Sequence, residues 1–264
     1  MSCFKNGTKD IVKGLLNINL SLYLAWSDIR QRYRRSTLGP FWITISTGVM
    51  VACIGLIFGN LFKSPMSEFL PFLASGLIIW GFIANCLTEA TTVFVNSEAI
   101  IKQLPLPIFT HVLRMVARNF YIFLHNLAIL PVVYLCVHKD VGWSVLLFFP
   151  GIFILIVNIL WVSLFLGIIC ARYRDLSQIV VNILQVFFYI TPIIWMPNLL
   201  PERTSIMVLE PNPLYHLIQI VRAPLLSQNP TVLNWFAPIL LAIFGCLFTN
   251  FIFNKYKNRI AYWL

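Results

Sequence analysis

The sequence predicts an all-α membrane protein that crosses the bilayer six times, and three observations support this fold class. First, 59% of the 264 residues are apolar and only 11% are charged, against roughly a quarter in soluble domains. A helix of about 20 apolar residues is enough to cross a bilayer core. Second, six stretches of at least that length carry no charged residue: 36–62, 69–88, 119–138, 141–171, 176–201 and 223–254.

The third observation is the distribution of Lys and Arg, which also orients the chain. If the N-terminus is cytoplasmic, 15 of the 19 basic residues fall in inner segments and four in outer ones. Such an excess of cytoplasmic Lys and Arg is the usual bias of multi-span proteins. Both termini are therefore predicted to be cytoplasmic. The net charge of +10 is interpreted mostly as part of this topology signal, together with attraction to anionic lipid of the inner leaflet. Nucleic-acid binding is not suggested, because no basic face with stacking aromatics is evident.

Residues 10–35 precede the first span and are predicted to form an amphipathic helix in the inner membrane interface. A helix that is basic at its end and carries Trp and Tyr suits the headgroup region. The first long apolar run begins only after Arg35 and is too long for a signal peptide core, so we expect it to remain as a helix. Apolar residues recur every three or four positions in one stripe: Ile11, Leu15, Ile18, Leu22, Trp26, Ile29 and Tyr33.

The uncharged stretches predict six spans and leave one long inner connection. Within that connection, residues 97–115, we expect a short helix up to Gln103 that is ended by Pro105 and Pro107. A short helix projecting from the membrane would offer a handle to a soluble partner. The predicted spans are roughly 38–62, 69–96, 116–137, 143–170, 177–197 and 232–254.

Seven of the fifteen prolines lie in residues 192–231, a segment too apolar for a solvated loop. Because proline ends helices, we expect two short helices that dip into the outer half of the membrane and return. Broken helices at that depth must be buried in protein or line a cavity. The segment is interpreted as a gate, and a re-entrant loop that only packs is the alternative.

The sequence carries no motif for catalysis, nucleotide binding or metal binding. It has no GxxxxGK[ST] loop, no HExxH and no Ser/His/Asp set, and its four histidines lack ligand spacing. The six cysteines are scattered and suit small buried hydrophobic positions. Ion-driven carriers usually place carboxylates at the bilayer centre, but only Glu89 lies within a predicted span, toward its inner end. We therefore expect the energy source to be another polypeptide.

Several stretches, in this order and on this topology, resemble one known family. The chain resembles the ABC-2 type export permeases, in the branch that exports cell-surface polysaccharides, and within that branch the O-antigen (lipopolysaccharide) permeases. The stretches are DIRQRYRRSTLGPFW (28–42), IKQLPLP (101–107), ARYRDLSQ (171–178) with FFYITPIIW (187–195), NPL (212–214) followed by Arg222-Ala223, and the tail KYKNRIAYWL (255–264).

The resemblance implies a single ABC-2 type transmembrane domain over residues 1–264, in the bacterial inner (cytoplasmic) membrane. It implies a homodimer of this chain with two copies of a separate ATP-binding subunit on the cytoplasmic face. No cofactor is expected in this chain, and ATP and Mg²⁺ would be bound by the partner. The substrate would be a long polysaccharide carried on a polyprenyl-pyrophosphate lipid.

The resemblance also assigns roles to residues. The segment 198–230 would supply the outer gate, including Pro211, Asn212, Pro213 and Tyr215. The interface helix and the 97–115 connection would touch the ATPase through Asp28, Arg30, Arg32, Tyr33, Glu98, Lys102, Leu104 and Pro105.

Arg34 and Arg35 stand at the predicted entry to the first span. Their guanidinium groups stay charged and can bind phosphate oxygens with two parallel hydrogen bonds. We expect them to hold lipid headgroups, the substrate pyrophosphate or acidic residues of the ATPase. Ordinary positive-inside anchoring is the alternative.

Aromatic residues are dense in the first, second and fifth predicted spans. Sugars stack on aromatic faces, so an aromatic-lined channel would let a polymer slide without tight sites. Membrane-interface belts and helix packing are the alternative explanation. The candidate channel residues are Phe41, Trp42, Phe58, Trp80, Phe187, Tyr189 and Trp195.

Three other functions compete with O-antigen export. Export of capsular polysaccharide or teichoic acid is the nearest. An exporter of a small hydrophobic drug or lipid often carries a large soluble insertion or a fused ATPase, and 264 residues leave no room for either. A membrane-embedded enzyme or scaffold would need convergent polar residues at the membrane interface, which the sequence does not offer.

Overall fold

A computed structural model describes residues 6–32, 34, 39, 41–140, 142–199 and 201–264, and every regular element within them is helical. Single 3₁₀ turns at Val95–Ser97, Trp143–Leu147 and Pro197–Leu199 connect some of the α-helices. The α-helices are α1 Asn6–Leu16, α2 Ile18–Arg32, α3 Phe41–Leu61, α4 Met66–Ala90, α5 Glu98–Gln103, α6 Phe109–Leu127, α7 Ile129–Val137, α8 Phe148–Arg172, α9 Leu176–Ile190, α10 Glu202–Leu209, α11 Pro213–Leu225 and α12 Val232–Trp263.

Five helical segments of the described chain are long and apolar enough to cross a membrane. They are α3, α4, the α6–α7 pair, α8 with the turn before it, and α12. The α6–α7 pair counts as one because the break at Ala128 is a single residue, and Pro131 has no N–H to offer the carbonyl of Leu127. The all-helical, multi-span prediction is confirmed for these five.

The remaining predicted span, 177–197, corresponds to α9, which has only 15 residues. At 1.5 Å per residue it is roughly 22 Å long, shorter than a bilayer core of about 30 Å. α9 ends where it does because Pro192 disfavours a helical conformation at the residue before it. Thr191 is accordingly extended, with φ −81° and ψ 135°.

Helix α4 is the centre of the bundle, and most of its residues are buried. It contacts α3, α6, α7, α8, α9 and α11. By contrast, α3 buries only Val51, Gly55 and Gly59, and large apolar side chains cover the rest of its surface. In an apolar bundle of this kind, such a surface is available to lipid or to another chain.

Helices α8 and α12 form the most extensive helix pair. At Gly245 the α12 backbone lies so close to the Trp161 side chain on α8 that an added Cβ atom would overlap the indole ring. Two hydrogen bonds cross the same seam: Asn158 Nδ2 donates to the carbonyl of Pro238 at 3.1 Å, and Thr249 Oγ1 to the carbonyl of Trp161 at 3.4 Å. A small residue and polar side chains at a close helix contact are typical of membrane bundles.

The predicted interface helix consists of two helices, α1 and α2, separated by a turn at Asn17. The apolar stripe is largely exposed and borders an apolar groove of about 740 Å³ shared with α6, α8 and α12. Ile29 is the buried exception. The positions that pack on the bundle are mainly small or polar: Gly7, Asp10, Gly14, Ser21 and Ala25.

Candidate functional site

Two clusters of polar contacts lie at opposite ends of the long helices. One of them, named the coupling end after its predicted role, comprises α1, α2, α5, residues 104–119 and the last three turns of α12, together with Glu89 at the end of α4. The gate end comprises residues 191–234. α3 runs from one end to the other. It follows α2 at the coupling end, and it ends shortly before the first residue of α4 at the gate end.

An ion-pair network at the coupling end joins α2, α4 and α6. Arg114 donates to both carboxylate oxygens of Asp28, and Arg118 Nη1 donates to Asp28 Oδ2 at 3.2 Å. Arg118 Nη2 also donates to Glu89 Oε2 at 2.6 Å, and Asn119 Nδ2 donates to the same oxygen at 2.7 Å. Two carboxylates and two guanidinium groups therefore balance one another among three helices.

Asp28 is held in its charged form by this network. Its side chain is 14% exposed. Burial alone would raise the pKa of Asp28, but the hydrogen bonds and positive charges of Arg114 and Arg118 outweigh burial and hold the pKa below its usual 3.8. The carboxylate that the resemblance assigned to ATPase contact is thus engaged inside the chain.

Asp10 fastens three elements at the coupling end. Its Oδ1 accepts a hydrogen bond from the backbone N–H of Phe109 at 3.0 Å, at the first residue of α6. Its Oδ2 lies 2.8 Å from Lys257 Nζ on α12. Asp10 is only 4% exposed, so its carboxylate is largely shielded from water. Residue 109 directly follows the connection that carries α5, so Asp10 links this connection to α12.

Asn254 adds a second link between α1 and α12. Its Oδ1 accepts hydrogen bonds from the backbone N–H groups of Gly7 at 2.8 Å and Thr8 at 3.1 Å. These N–H groups have no partner within their own helix, so Asn254 acts as an N-cap supplied by another helix. Gly7 permits the approach, since a Cβ there would lie 2.9 Å from the Asn254 backbone.

Helix α5 is exposed at the coupling end, and its predicted end at Gln103 is confirmed. Leu104 is extended because Pro105 follows it, and its side chain is 53% exposed. Glu98 and Lys102 form an exposed ion pair at 2.6 Å, which contributes little to stability. The helix and its proline corner thus present a small, accessible surface.

The other residues predicted to contact the ATPase, and the two predicted to bind lipid pyrophosphate or headgroups, divide into two groups. Arg30 and Arg32 at the end of α2 are exposed, as are Arg34 and Pro105. Tyr33 and Arg35 lie outside the described residues. Contact of any of these residues with an ATPase stays a prediction.

At the gate end, the expected pair of short helices is present as α10 and α11. Asn212 starts α11: its Oδ1 accepts from the N–H groups of Leu214 at 3.0 Å and Tyr215 at 3.3 Å. Pro213 occupies the first helical position, where its fixed φ is favourable. Asn212 Nδ2 also donates to Thr191 Oγ1 at 2.8 Å and so holds α11 to the residue that follows α9.

His216 links α11 to the start of α12. Its Nδ1 lies 2.8 Å from Asn234 Oδ1, and its Nε2 lies 2.8 Å from the carbonyl of Glu210. His216 is buried, and each of its ring nitrogens lies within hydrogen-bond distance of an oxygen inside the protein. Among the predicted gate residues, Asn212 is buried, Tyr215 is half-buried, and Pro211 and Pro213 are exposed.

Arg222 on α11 is fully buried, with 0% exposure. Its Nη1 donates to the carbonyl of Pro192 at 2.6 Å, and its Nε donates to Gln219 Oε1 at 3.0 Å. The guanidinium carbon lies 4.0 Å from the ring centre of Phe72 on α4. Sequence reasoning counted Arg222 as an outer cation and as part of a stretch that resembles the family, but gave it no role of its own. A usable signal was present, because Arg222 is the sole charged residue between Glu210 and Lys255.

The predicted channel aromatics do not share one environment. Phe41, Trp42 and Tyr189 are exposed, whereas Trp80 is 8% exposed and packs on Phe188. The others are half-buried; Phe58 packs on Phe62, Phe187 borders a smaller apolar cavity, and Trp195 donates to the carbonyl of Tyr189. Their role in a channel stays a prediction.

Sequence reasoning missed most of the polar contacts at the coupling end. Asp10, Arg114, Arg118, Asn254 and Lys257 carry no motif, and their partners are distant in the chain. Within the described residues, no group of three or more His, Cys, Asp or Glu side chains is placed to hold a metal ion. The polar contacts of the coupling end link helices to one another.

Comparison with known proteins matches the family described as ABC-2 type transporter over residues 20–226. Two proteins from Klebsiella pneumoniae named O-antigen export system permease protein RfbA are each 27% identical to the chain, over 256 and 252 residues, covering 92% of it and 94% of each relative. A protein of the same name from Myxococcus xanthus is 22% identical over 205 residues, covering 77% of this chain and 79% of its own length.

Proposed function

Since the chain belongs to the ABC-2 type transporter family, we propose that it is the permease subunit of an exporter for O-antigen-type polysaccharide. The observation that carries the proposal is the extent of the similarity to the O-antigen export permeases, which covers 92% of this chain. The substrate is a glycan linked to a polyprenyl-pyrophosphate lipid, and the permease moves it outward across the bacterial inner membrane.

The proposed topology has six spans, with the short α9 as the fifth. The charge distribution supports an inner position for both termini and for the coupling end, since 15 of the 19 basic residues then lie inside. α1 and α2 then lie along the inner membrane interface, where their exposed apolar stripe meets lipid. α10 and α11 form a re-entrant gate on the outer side.

Energy comes from a separate ATPase, two copies of which dock on a homodimer of this chain and bind ATP and Mg²⁺. The docking surface is α5 with Leu104 and Pro105, together with Arg30 and Arg32 at the end of α2. The contacts of Asp10 and Asp28 support this assignment, because they tie the docking elements to α6 and α12. A push on the docking surface therefore acts on the bundle and not on a loose loop.

The lipid-linked substrate enters beside Arg34 and Arg35, whose guanidinium groups suit pyrophosphate oxygens. Exposed aromatic side chains such as Phe41, Trp42 and Tyr189 give the sugar chain a stacking surface. Arg34 is exposed at the entry to α3, where a headgroup can reach it.

The test is export in cells from which this permease has been deleted. Surface polysaccharide and lipid-linked polysaccharide retained inside are measured with and without the restored chain. We expect surface polysaccharide to disappear on deletion while the lipid-linked form accumulates, and both to return to normal on restoration. Normal surface polysaccharide in the deletion strain would contradict the proposal. A separate ATP-hydrolysing subunit should co-purify with the restored chain. The permease purified without that subunit should hydrolyse no ATP.

A further inference from the structure

Arg222 is a positive charge enclosed by neutral groups. A guanidinium carries five N–H donors, and here only Nη1 and Nε have acceptors, both of them uncharged. Nη2 is buried and has no hydrogen-bond partner among the described residues. No carboxylate in the described part of the chain forms an ion pair with Arg222. Burying a cation without a counter-charge is strongly unfavourable, so its retention calls for a function.

Arg222 also lies well inside the bundle. It packs on Phe72 and Gly76, which follow the first residue of α4 by six and ten positions. At 1.5 Å per residue, this places the guanidinium roughly 9–15 Å below the outer end of α4. Gly76 lets α4 approach closely, since a Cβ there would lie 3.5 Å from Nη1 and 3.3 Å from the carbonyl of Ile193.

We propose that Arg222 is a binding site for a phosphate-type oxyanion at the gate end, and that the oxyanion is the pyrophosphate of the lipid-linked substrate. This inference rests on the proposed function. Nη2 is the vacant donor, and the Pro192 carbonyl is an acceptor that a phosphate oxygen can replace when the 191–195 segment moves away from α11. A guanidinium then holds two oxygens at once. The substrate headgroup would thus have a second binding site. This site lies at the opposite end of α3 from Arg34.

Binding is measured on the complete permease–ATPase complex in lipid nanodiscs, without nucleotide and with the complex held in its ATP-bound state. The probe is a fluorescent polyprenyl pyrophosphate, and the matching polyprenol without phosphate is the ligand control. We expect Arg222→Gln to weaken pyrophosphate binding by at least about tenfold and Arg222→Lys to weaken it less, because Lys keeps the charge but loses the fork. Polyprenol binding should not depend on Arg222.

Two matched variants separate binding from structural damage. Arg203→Gln removes an exposed cation from the same end of the protein and should leave the dissociation constant within about twofold. Gln219→Leu removes a neutral acceptor but keeps the guanidinium, so it should bind pyrophosphate at least as tightly as the unaltered chain. If Arg222→Gln does not fold, the affinities of Arg222→Lys and Gln219→Leu for polyprenyl pyrophosphate are compared instead. Binding by Arg222→Lys that is as tight as binding by Gln219→Leu would then refute the site.

The lipid in the nanodisc distinguishes the source of the phosphate. If Arg222 is needed for binding of phosphatidylglycerol and not of polyprenyl pyrophosphate, the oxyanion is a lipid phosphate, and our inference that it is the substrate pyrophosphate is wrong. The export assay in cells then decides the proposed function separately. If Arg222→Gln binds polyprenyl pyrophosphate as tightly as the unaltered complex, the site is refuted, whatever the export assay in cells shows. Arg222→Gln could also abolish the permease dimer without changing the affinity for polyprenyl pyrophosphate. That result would indicate that a second copy of the chain supplies the counter-charge of Arg222, and it would also refute the proposal.

Discussion

Arg114 donates two parallel hydrogen bonds to Asp28, from Nε to Oδ2 at 2.8 Å and from Nη2 to Oδ1 at 2.5 Å. The planar fork matches the carboxylate, so the pair fixes the orientation of α2 on α6 as well as their distance. Arg118 shares the same carboxylate and continues to Glu89 on α4. Ion pairs therefore connect α2, the helix before the first long span, through α6 to α4 at the centre of the bundle.

We expect Asp28→Asn to destabilise the protein by about 1–3 kcal/mol, because the amide keeps the shape but loses the negative charge and one of the two oxygens that accept from Arg114 and Arg118. Thermal unfolding in detergent checks this. Since the folded-state pKa of Asp28 is lowered, its contribution is complete above the usual value of 3.8 and is lost as the pH falls through the folded-state pKa. Glu98→Gln, which breaks an exposed pair, is the control and should change stability by less than about 0.5 kcal/mol. Equal effects of the two variants would refute this account.

The two oxygens of Asp10 predict a graded series. Asp10→Asn retains an oxygen for the Phe109 N–H but loses the ion pair with Lys257, whereas Asp10→Ala loses both. We expect a loss of about 1 kcal/mol for Asn and up to about 3 kcal/mol for Ala. Lys257→Met should cost more than Asp10→Asn, because it leaves the buried Asp10 carboxylate without its counter-charge. Unfolding midpoints in detergent provide the measurement, and an identical loss in the Asn and Ala variants would mean that the Phe109 contact is unimportant.

The close contact of α8 and α12 predicts that Gly245→Ala is destabilising by about 1–3 kcal/mol, because the added methyl group overlaps the Trp161 ring. Gly81→Ala is the control: a Cβ there meets nothing within 4 Å, so the change should be neutral or stabilise α4 by up to about 1 kcal/mol. Combining Gly245→Ala with Trp161→Leu should restore part of the loss. A tolerated Gly245→Ala would show that the helices separate without cost.

The proposed orientation predicts opposite labelling of two exposed positions. In a cysteine-free background, Arg203→Cys near the gate end should react with an impermeant thiol reagent added to spheroplasts, and Arg259→Cys near the end of α12 should not. Breaking the membrane should expose Arg259→Cys as well. Labelling of the position at 259 alone in intact spheroplasts would reverse the topology.

Local signals in the sequence were sufficient for several helix boundaries. Pro105 predicted the end of α5, and the cluster of prolines in residues 192–231 predicted two short helices, α10 and α11. These boundaries depend on the conformational limits of proline, which act within one or two residues. Uncharged length was a weaker guide: the stretch 176–201 is long enough to span, but Pro192 ends α9 after 15 residues.

The contacts between helices could not be predicted in the same way. In α1 and α2, the apolar stripe suggested the important face, yet Gly7, Gly14 and Ala25 make the packing contacts. In a membrane, apolar side chains are equally suited to lipid and to protein, so small residues mark the contacts instead. Asp10 and Phe109 are 99 residues apart, and no periodic pattern relates them. The residues that join one helix to another could therefore be identified only from the three-dimensional structure.

The N-cap that Asn254 supplies to α1 joins residues 247 positions apart in the chain. A ribosome adds about 5–20 residues per second, so Asn254 is made roughly 12–50 s after Gly7. Throughout that interval the first N–H groups of α1 have only water or lipid headgroups as partners, and the ion pair of Asp10 with Lys257 is also missing. α1, which is synthesised before every other described helix, is therefore capped only after most of α12 has been made. A nascent chain that stalls before residue 254 presents α1 with these N–H groups and the Asp10 carboxylate still unpaired by α12.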